Sequence, residues 1–234
     1  MKIGLIFYHS NVLSYIEHEH IFECLKSIEN QTFKDFDIFE LNYSKKAEEN
    51  MFLTDIGFFK DKKITTYRQE CRNHIEAMNF LLNKTFKELD YDVIFNINLD
   101  DIYNEKRIEL QLIKVFEGYD LISSNYTIFQ EKDGEKIRRE MKMTKSYDNI
   151  DDEQIFIKIK MSKNKNIAPT SAMCFTKKCW EVLESIPYLP GVESLLICKK
   201  VLKNKLKIHI CPELLVDYRI HENQVSAKIR SNIV

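Results

Sequence analysis

Short runs of bulky apolar residues alternate along the chain with stretches of helical periodicity. The first run covers residues 2–8 and the second covers 36–41, and both are predicted to form buried strands. Between them, residues 17–28 place apolar side chains at the three- and four-residue spacing of an amphipathic helix. A strand, a helix and a strand in this order form a βαβ unit, which indicates a parallel sheet with right-handed crossovers.

The alternation continues to the end of the chain. A helix is predicted over 69–82 and a strand over 91–97, where the nearly continuous apolar run is typical of a strand covered on both faces. Further helices are predicted over 107–116, 176–185 and 191–202, and further strands over 120–124, 126–130, 136–139, 171–175, 206–210 and 214–218. We therefore predict a single α/β domain with a mostly parallel central sheet and helices on both of its faces.

A long polar segment interrupts this pattern between residues 140 and 166. It follows a hairpin that the dipeptide Asp133-Gly134 predicts. The isoleucines at positions 155, 157 and 159 allow one edge strand, and the remainder is predicted to be a mobile loop. The lysines at 158, 160, 163 and 165 could meet an anionic ligand, although a solvated surface is the commoner role of such a run.

Composition narrows the range of chemistry. The 234 residues include five glycines, at positions 4, 57, 118, 134 and 191, and no two of them lie close together. This spacing excludes a dinucleotide-binding glycine turn, a glycine-rich phosphate loop and a G-x-S-x-G nucleophile elbow. The formal net charge of −1 argues against a nucleic-acid partner, and the 44% hydrophobic content is that of a globular protein.

The cysteines and the apolar runs indicate the cellular location that we expect for the chain. None of the six cysteines forms a C-x-x-C pair, so zinc ligation has little support. No apolar run approaches 18 residues, and the apolar start of the chain is too short for a signal peptide. We therefore expect reduced thiols, no transmembrane segment and a cytoplasmic location.

An acidic turn follows the predicted strand 91–97, with the sequence Asn98, Leu99, Asp100 and Asp101. Ligands of open α/β sheets collect outside the carboxyl ends of the strands. Carboxylate oxygens suit Mg²⁺ or Mn²⁺, and such a cation could neutralise a diphosphate where no glycine loop exists. The alternative is a surface turn in which Asp101 lies near the N-cap of the next helix, and the spacing alone does not separate the two.

Four segments in order resemble the family 2 glycosyltransferases, which have the GT-A fold. They are the strand 3–8 with the helix that ends in CLKSIENQTF, the run CRNHIEAMN from residue 71, the turn NLDD from residue 98, and YRIHENQVS from residue 218. The resemblance implies transfer of a sugar, with inversion, from a nucleotide diphosphate donor to a hydroxyl of a glycan or other acceptor. It also implies a donor-binding half at 1–103 and an acceptor half at 104–234.

The resemblance assigns roles to the acidic turn and to the closing segment. Asp100 becomes the ligand of Mn²⁺ or Mg²⁺, Asn98 stands at the ribose-facing position, and Asp101 supports the turn. His221 becomes a further metal ligand, and Arg219 a charge partner for phosphate. The alternative for His221 is an ordinary histidine in a structured tail.

The general base is expected at the start of a late helix, where the family carries an acidic pair. Here the segment reads Gly191, Val192 and Glu193, so only Glu193 is acidic. We predict that Glu193 takes the proton of the acceptor hydroxyl, with a pKa raised by partial burial. The alternative is a first-turn glutamate that the helix dipole favours.

The chain also departs from the family pattern around the nucleotide. The first strand ends in Tyr8, His9 and Ser10, which are expected to line the nucleotide cleft by position only. The second strand ends at Asn42 instead of an aspartate, and its amide is expected to hydrogen-bond the nucleotide base. Arg72, on the matching helix, either reaches the donor or is a surface arginine.

Two other functions stay open. The missing acidic residues at positions 42, 98 and 192 would suit a catalytically inactive binding or scaffold module. A nucleotidyltransferase also uses carboxylate-held metal on an α/β sheet, but it usually has a glycine-rich basic loop after the first strand. The sequence leaves the donor sugar, the acceptor and the oligomeric state open.

Overall fold

A single mixed sheet runs through the computed structural model, which describes residues 1–10, 18–45, 58–132, 135–141, 168–189 and 191–221. Its nine strands are β1 (Ile3–His9), β2 (Asp37–Asn42), β3 (Ile64–Arg68), β4 (Val93–Ile97), β5 (Ile102–Tyr103), β6 (Leu121–Lys132), β7 (Glu135–Met141), β8 (Cys174–Thr176) and β9 (Ile208–Ile220). The helices are α1 (His18–Glu29), α2 (His74–Asn83), α3 (Arg107–Phe116), α4 (Lys177–Leu183) and α5 (Glu193–Lys203). A π-helical turn (Lys84–Glu88) extends α2, and a 3₁₀ turn (Thr170–Ala172) precedes β8.

The strand order is β3-β2-β1-β4-β8-β6-β9-β5, with β7 paired to β6. Strands β1, β2, β3 and β4 are parallel, and β6 and β9 are parallel to one another. Strand β8 joins the two groups and is antiparallel to both β4 and β6. Six of the nine strands among the described residues therefore run in one direction, which confirms the predicted α/β fold with a mostly parallel sheet.

Helices cover both faces of the sheet. Alternate residues of a strand point to opposite faces, so Leu5 and Phe7 of β1 join one core while Ile6 joins the other. The first core is closed by α1 and α3, and the second by α2, α4 and α5.

The structure corrects several predicted boundaries. Strand β3 was missed because its residues, Ile64–Arg68, are mostly polar and only partly buried. Helix α2 begins five residues later than the predicted start at residue 69, because the Asn73 side chain accepts the Glu76 N–H at 3.0 Å and caps the helix there. The short strand β5 was also missed.

Two strands are longer than predicted. The predicted strands 120–124 and 126–130 join into β6, and 206–210 and 214–218 join into β9. The register between β6 and β9 shifts on either side of Asn125, and this irregularity breaks the alternation on which the prediction relied.

Parts of the prediction fall on residues outside the described ranges. Strands β6 and β7 form the expected antiparallel hairpin, while its turn, 133–134, lies outside them. The edge strand and lysines proposed within 140–166 lie outside them from residue 142 onward, as do residues 222–226 of the closing motif. No helix in the described part of the chain is both long and apolar enough for a bilayer crossing.

Candidate functional site

The carboxyl ends of β1, β2 and β4 meet at one edge of the sheet. Residue Tyr8 pairs with Leu41, and Phe7 pairs with Ile97, so the three strands end side by side. Strand β9 reaches the same edge through β5, where Ile102 pairs with Asp217. The edge therefore collects the acidic turn and the closing segment, which are far apart in sequence.

Asp101 is fully buried beneath this edge. Its Oδ1 atom accepts the backbone N–H of Arg219 at 3.0 Å, and its own N–H bonds the Asn98 carbonyl oxygen at 3.3 Å. Burial, and then the charge of Asp100, raises the pKa of Asp101 well above its usual range, against the opposing effects of Ser171 and Arg107. The surface-turn alternative is wrong, because Asp101 is 0% exposed and the N-cap of α3 is Lys106.

Asp100 and His221, the two predicted metal ligands, face one another. The Oδ2 atom of Asp100 lies 3.3 Å from Nε2 of His221, and the side chains are 17% and 14% exposed. Among the described residues no group of three or more His, Cys, Asp and Glu side chains is arranged to hold a metal ion. One carboxylate and one imidazole nevertheless fit a divalent cation whose other ligands are substrate phosphate oxygens and water.

Arg219 is held by protein groups on every side. Its Nε donates to the Asp100 carbonyl oxygen at 3.0 Å and its Nη1 to Glu131 at 2.9 Å, while Nη2 donates to Glu23. The guanidinium carbon lies 4.5 Å from the centre of the Phe129 ring, and the side chain is 1% exposed. The expectation of a phosphate partner is therefore corrected, because the guanidinium is buried and each of its three nitrogens donates to a protein group.

Tyr8 and Asn98 are brought together at the end of β1. The Tyr8 hydroxyl donates to Asn98 Oδ1 at 3.4 Å, and burial raises the pKa of Tyr8. Tyr103 fixes the backbone of the turn, since its hydroxyl accepts the Asn98 N–H at 2.8 Å and donates to the Asn98 carbonyl oxygen at 3.1 Å. These two predicted donor-binding residues share one part of the edge.

Two other predicted nucleotide-binding residues have structural partners. His9 is buried, and its Nε2 lies 2.8 Å from Oε1 of buried Glu40. This pairing corrects the expectation that the His9 side chain lines a cleft. Asn42 is also buried, and its Oδ1 accepts the Ser44 N–H at 3.0 Å, which closes the turn after β2. Ser10, next to His9, is half-buried.

Arg72 lies on the surface before α2 and not on the helix. Its side chain is 85% exposed, and its Nε is 3.1 Å from Oε2 of Glu76. The same carboxylate accepts the Arg72 N–H at 2.7 Å, so the pair closes the turn that leads into the helix. The structure agrees with the surface alternative for this residue.

Glu193 is the first residue of α5 and is 9% exposed. Its Oε2 accepts the N–H of Gly191 at 2.9 Å, and Gly191 adopts a φ of +81° in the turn before the helix. Burial raises the pKa of Glu193, as the sequence predicts, while backbone hydrogen bonds oppose the shift. The geometry accommodates both a base and a first-turn glutamate.

His74 lies near Asp100 and was not singled out from the sequence. It begins α2, burial lowers its pKa, and the nearby charge of Asp100 opposes that shift. Its ring lies 5.7 Å from the Tyr188 ring in a T-shaped arrangement. Asn79 anchors the segment before Tyr188 by bonding both backbone groups of Ile186, at 2.8 and 2.9 Å. A histidine within the run CRNHIEAMN was the available signal.

Arg107 was also missed, because at the start of a helix it has no distinctive pattern. It is fully buried, and its Nη2 donates to the carbonyl oxygens of Asn96 and Met173 at 3.1 and 3.3 Å. Its guanidinium carbon lies 4.5 Å from the centre of the Tyr103 ring. Its positive charge lowers the pKa of Asp101 and so opposes part of the effect of burial on that carboxyl.

The comparison with protein families matches most of the chain to a known family. A family model described as Glycosyl transferase family 2 matches residues 12–183, which is more than half of the chain. The match ends before Glu193, Arg219 and His221. No relative was found among curated proteins.

Solved structures with the same fold are distant in sequence. S. aureus TarS in complex with UDP-GlcNAc has 13% identity and a TM-score of 0.66, over 97% of this chain and 61% of that one. PcManGT, a mannosyltransferase from Pyrobaculum calidifontis with GDP-Man and Mn²⁺, has 12% identity and a TM-score of 0.61, over 92% and 56%. GalNAc-T7 with UDP, GalNAc and Mn²⁺ has 9% identity and a TM-score of 0.66, over 96% and 44%. The chain therefore spans less than two thirds of the length of each of these structures.

Proposed function

The chain belongs to glycosyl transferase family 2, and from that premise we propose that it transfers a sugar, with inversion, from a nucleotide diphosphate donor to an acceptor hydroxyl. The observation that carries the proposal is the opposed pair Asp100 and His221 at the carboxyl edge of the sheet, 3.3 Å apart. The structures of similar fold that contain UDP-GlcNAc or GDP-Man support a nucleotide-sugar donor. The family assignment favours a glycosyltransferase over a nucleotidyltransferase.

Asp100 and His221 would hold a divalent cation, Mn²⁺ or Mg²⁺. When bound, the cation supplies positive charge that stabilises the diphosphate as it leaves the sugar. The two structures of similar fold that contain Mn²⁺ support this choice of ion. Asp101 and Arg219 would keep the turn in place through their hydrogen bonds. His74 lies close enough to Asp100 for that charge to raise its pKa against the effect of burial.

Glu193 is our candidate for the general base. Its carboxylate would accept the proton of the acceptor hydroxyl while that oxygen attacks the sugar from the face opposite the diphosphate. A pKa raised by burial makes it a stronger base than an ordinary glutamate at the same degree of ionisation. Its hydrogen bond to Gly191 would orient the carboxylate at the start of α5.

The donor would occupy the half 1–103, beside Tyr8, Ser10 and Asn98, and the acceptor would bind the half 104–234. His9 and Asn42 would not contact the donor but would stabilise the ends of β1 and β2, through their bonds to Glu40 and Ser44. All six cysteines are free and buried, which suits a reducing compartment, so we propose a cytoplasmic reaction on a glycan or another hydroxyl acceptor.

Donor binding tests the first part of the proposal. Isothermal titration of UDP-, GDP- and dTDP-sugars, with and without Mn²⁺, should give metal-dependent binding of at least one donor. Asp100→Ala should abolish the metal dependence, while Arg72→Ala, a surface change, should leave it intact. Absence of binding by every donor in both conditions would refute the donor site.

A catalytically inactive binding module is the second candidate, because amides stand at Asn42 and Asn98. Release of the nucleotide diphosphate from the donor identified by titration separates the two. A transferase should lose turnover in Glu193→Gln while donor affinity stays the same. A module without activity would show no turnover in the wild-type protein.

A further inference from the structure

We propose that Arg219 is a positioning residue that sets the Asp100 carboxylate against His221 for a divalent cation. The inference rests on the metal site of the proposed function and extends it to a residue that touches neither donor nor metal. It assigns to the buried guanidinium the geometry of the site, in place of the contact with phosphate that the sequence predicts.

Arg219 bonds both aspartates of the acidic turn. Its backbone N–H donates to Asp101 Oδ1 and its Nε to the Asp100 carbonyl oxygen, each at 3.0 Å. Asp100 is thus held by its backbone, and its carboxylate faces His221. His221 lies two residues further along the chain, just after the end of β9, so one short segment fixes the turn and also supplies the facing imidazole.

The guanidinium is itself fixed from two other elements. Glu23 on α1 and Glu131 on β6 accept from its two terminal nitrogens. The centre of the Phe129 ring lies 4.5 Å from the guanidinium carbon. A planar fork can satisfy the turn and both glutamates together, whereas a lysine ammonium is a compact point charge. The position of the turn is therefore tied to α1, β6 and β9 at once.

Charge explains why this arrangement leaves Asp100 for a cation. Two carboxylates, those of Glu23 and Glu131, bond the Arg219 guanidinium directly. Arg219 bonds Glu23 and Glu131 through its side chain and Asp101 through its backbone, and contacts Asp100 at the carbonyl oxygen. Because Glu23 and Glu131 already pair with the guanidinium, the Asp100 carboxylate faces His221 instead of Arg219.

Mn²⁺ binding tests the inference without relying on activity. MnCl₂ would be titrated into the protein in the presence of saturating UDP, with free Mn²⁺ measured by electron paramagnetic resonance. Partners that orient metal ligands typically change metal affinity 10–100-fold, so Arg219→Lys should raise the Kd for Mn²⁺ at least tenfold. The affinity for UDP without metal should change less than twofold.

Two further variants separate positioning from stability. Leu183→Ala removes a buried side chain of α4 and lowers stability, but should leave the Kd for Mn²⁺ within twofold of wild type. Phe129→Leu removes the ring beside the guanidinium and changes no charge, so it should raise the Kd at least threefold. It decides the question if Arg219→Lys does not fold.

The outcomes distinguish this inference from the proposed function. An Arg219→Lys protein that binds Mn²⁺ as the wild type does would overturn the positioning role and leave the transferase proposal standing. An unchanged Kd in Phe129→Leu would do the same if the lysine variant is unfolded. A wild-type protein that binds UDP but no Mn²⁺ would overturn the inference and the metal site together.

Discussion

Replacing Asp101 with asparagine should remove a pH-dependent cost to stability at the centre of the site. Asp101 is fully buried, and its Oδ1 accepts the Arg219 N–H at 3.0 Å. Asparagine keeps an oxygen for this bond and removes the charge. Burial and the neighbouring Asp100 raise the pKa of Asp101, so ionising it in the folded protein is unfavourable.

The sign and size of the effect follow from proton linkage. An unfolded aspartate loses its proton near pH 3.9, whereas folded Asp101 keeps its proton to a higher pH. Its contribution to stability is therefore complete below the unfolded pKa and is lost as the pH rises toward the folded pKa. Within that window the free energy of unfolding of the wild type, minus that of Asp101→Asn, should fall by up to about 1.4 kcal/mol per pH unit.

Urea unfolding at pH 5, 6, 7 and 8, in EDTA and at constant ionic strength, would measure this difference. Asp90→Asn is the matched control. The bond from Lys177 lowers the pKa of exposed Asp90, so that residue is ionised throughout this pH range and its difference should be flat. A difference for Asp101→Asn that is flat or rises with pH would contradict the reasoning.

Two other substitutions and one pH–rate profile give separate checks. Gly4→Ala would place a Cβ 2.8 Å from Phe39 and 2.9 Å from Ile94, and overpacking of this kind should cost about 1–3 kcal/mol in urea unfolding; a loss below 0.5 kcal/mol, a threshold of about half the lower bound, would show that the core yields easily. Arg107→Met removes the guanidinium that donates to the buried carbonyl oxygens of Asn96 and Met173, the second of which still accepts the Asn96 N–H at 3.1 Å, and should cost about 1–3 kcal/mol in thermal or urea unfolding; a neutral result would mean that water replaces the guanidinium. The raised pKa of Glu193 should place the acid limb of the kcat/KM profile above the pH expected of an ordinary glutamate, with activity rising as the carboxylate ionises; a limb at or below that pH would exclude Glu193 as the base.

Much of the fold was predictable because its signals are local. Leu5, Ile6 and Phe7 belong to a short apolar run that predicts a buried strand, and in the structure they join two different cores. The apolar run 91–97 predicts where β4 ends, and that end places Asp100 and Asp101 just after the strand. Strand β3 was not predictable in this way, because a mostly polar edge strand carries little apolar signal.

The candidate site was predictable in its parts and not in its contacts. Resemblance to a family indicated Asp100, His221 and Glu193, but neither periodicity nor motif indicated that Arg219 would be buried between Glu23 and Glu131. Those partners lie 196 and 88 residues from Arg219 in sequence. The packing of α1, β6 and β9 decides that the guanidinium of Arg219 bonds protein groups and not a ligand.

The sequence by itself determined the elements and their order, because side-chain periodicity acts over one or two turns of backbone. Only the tertiary structure decided which charges meet. The pairing of β5 with β9, and the irregularity at Asn125 in β6, set the register that brings His221 within 3.3 Å of Asp100 across 121 residues of sequence. Contacts of this kind depend on strand register and on the burial of charge, and both become defined only when distant segments pack against one another.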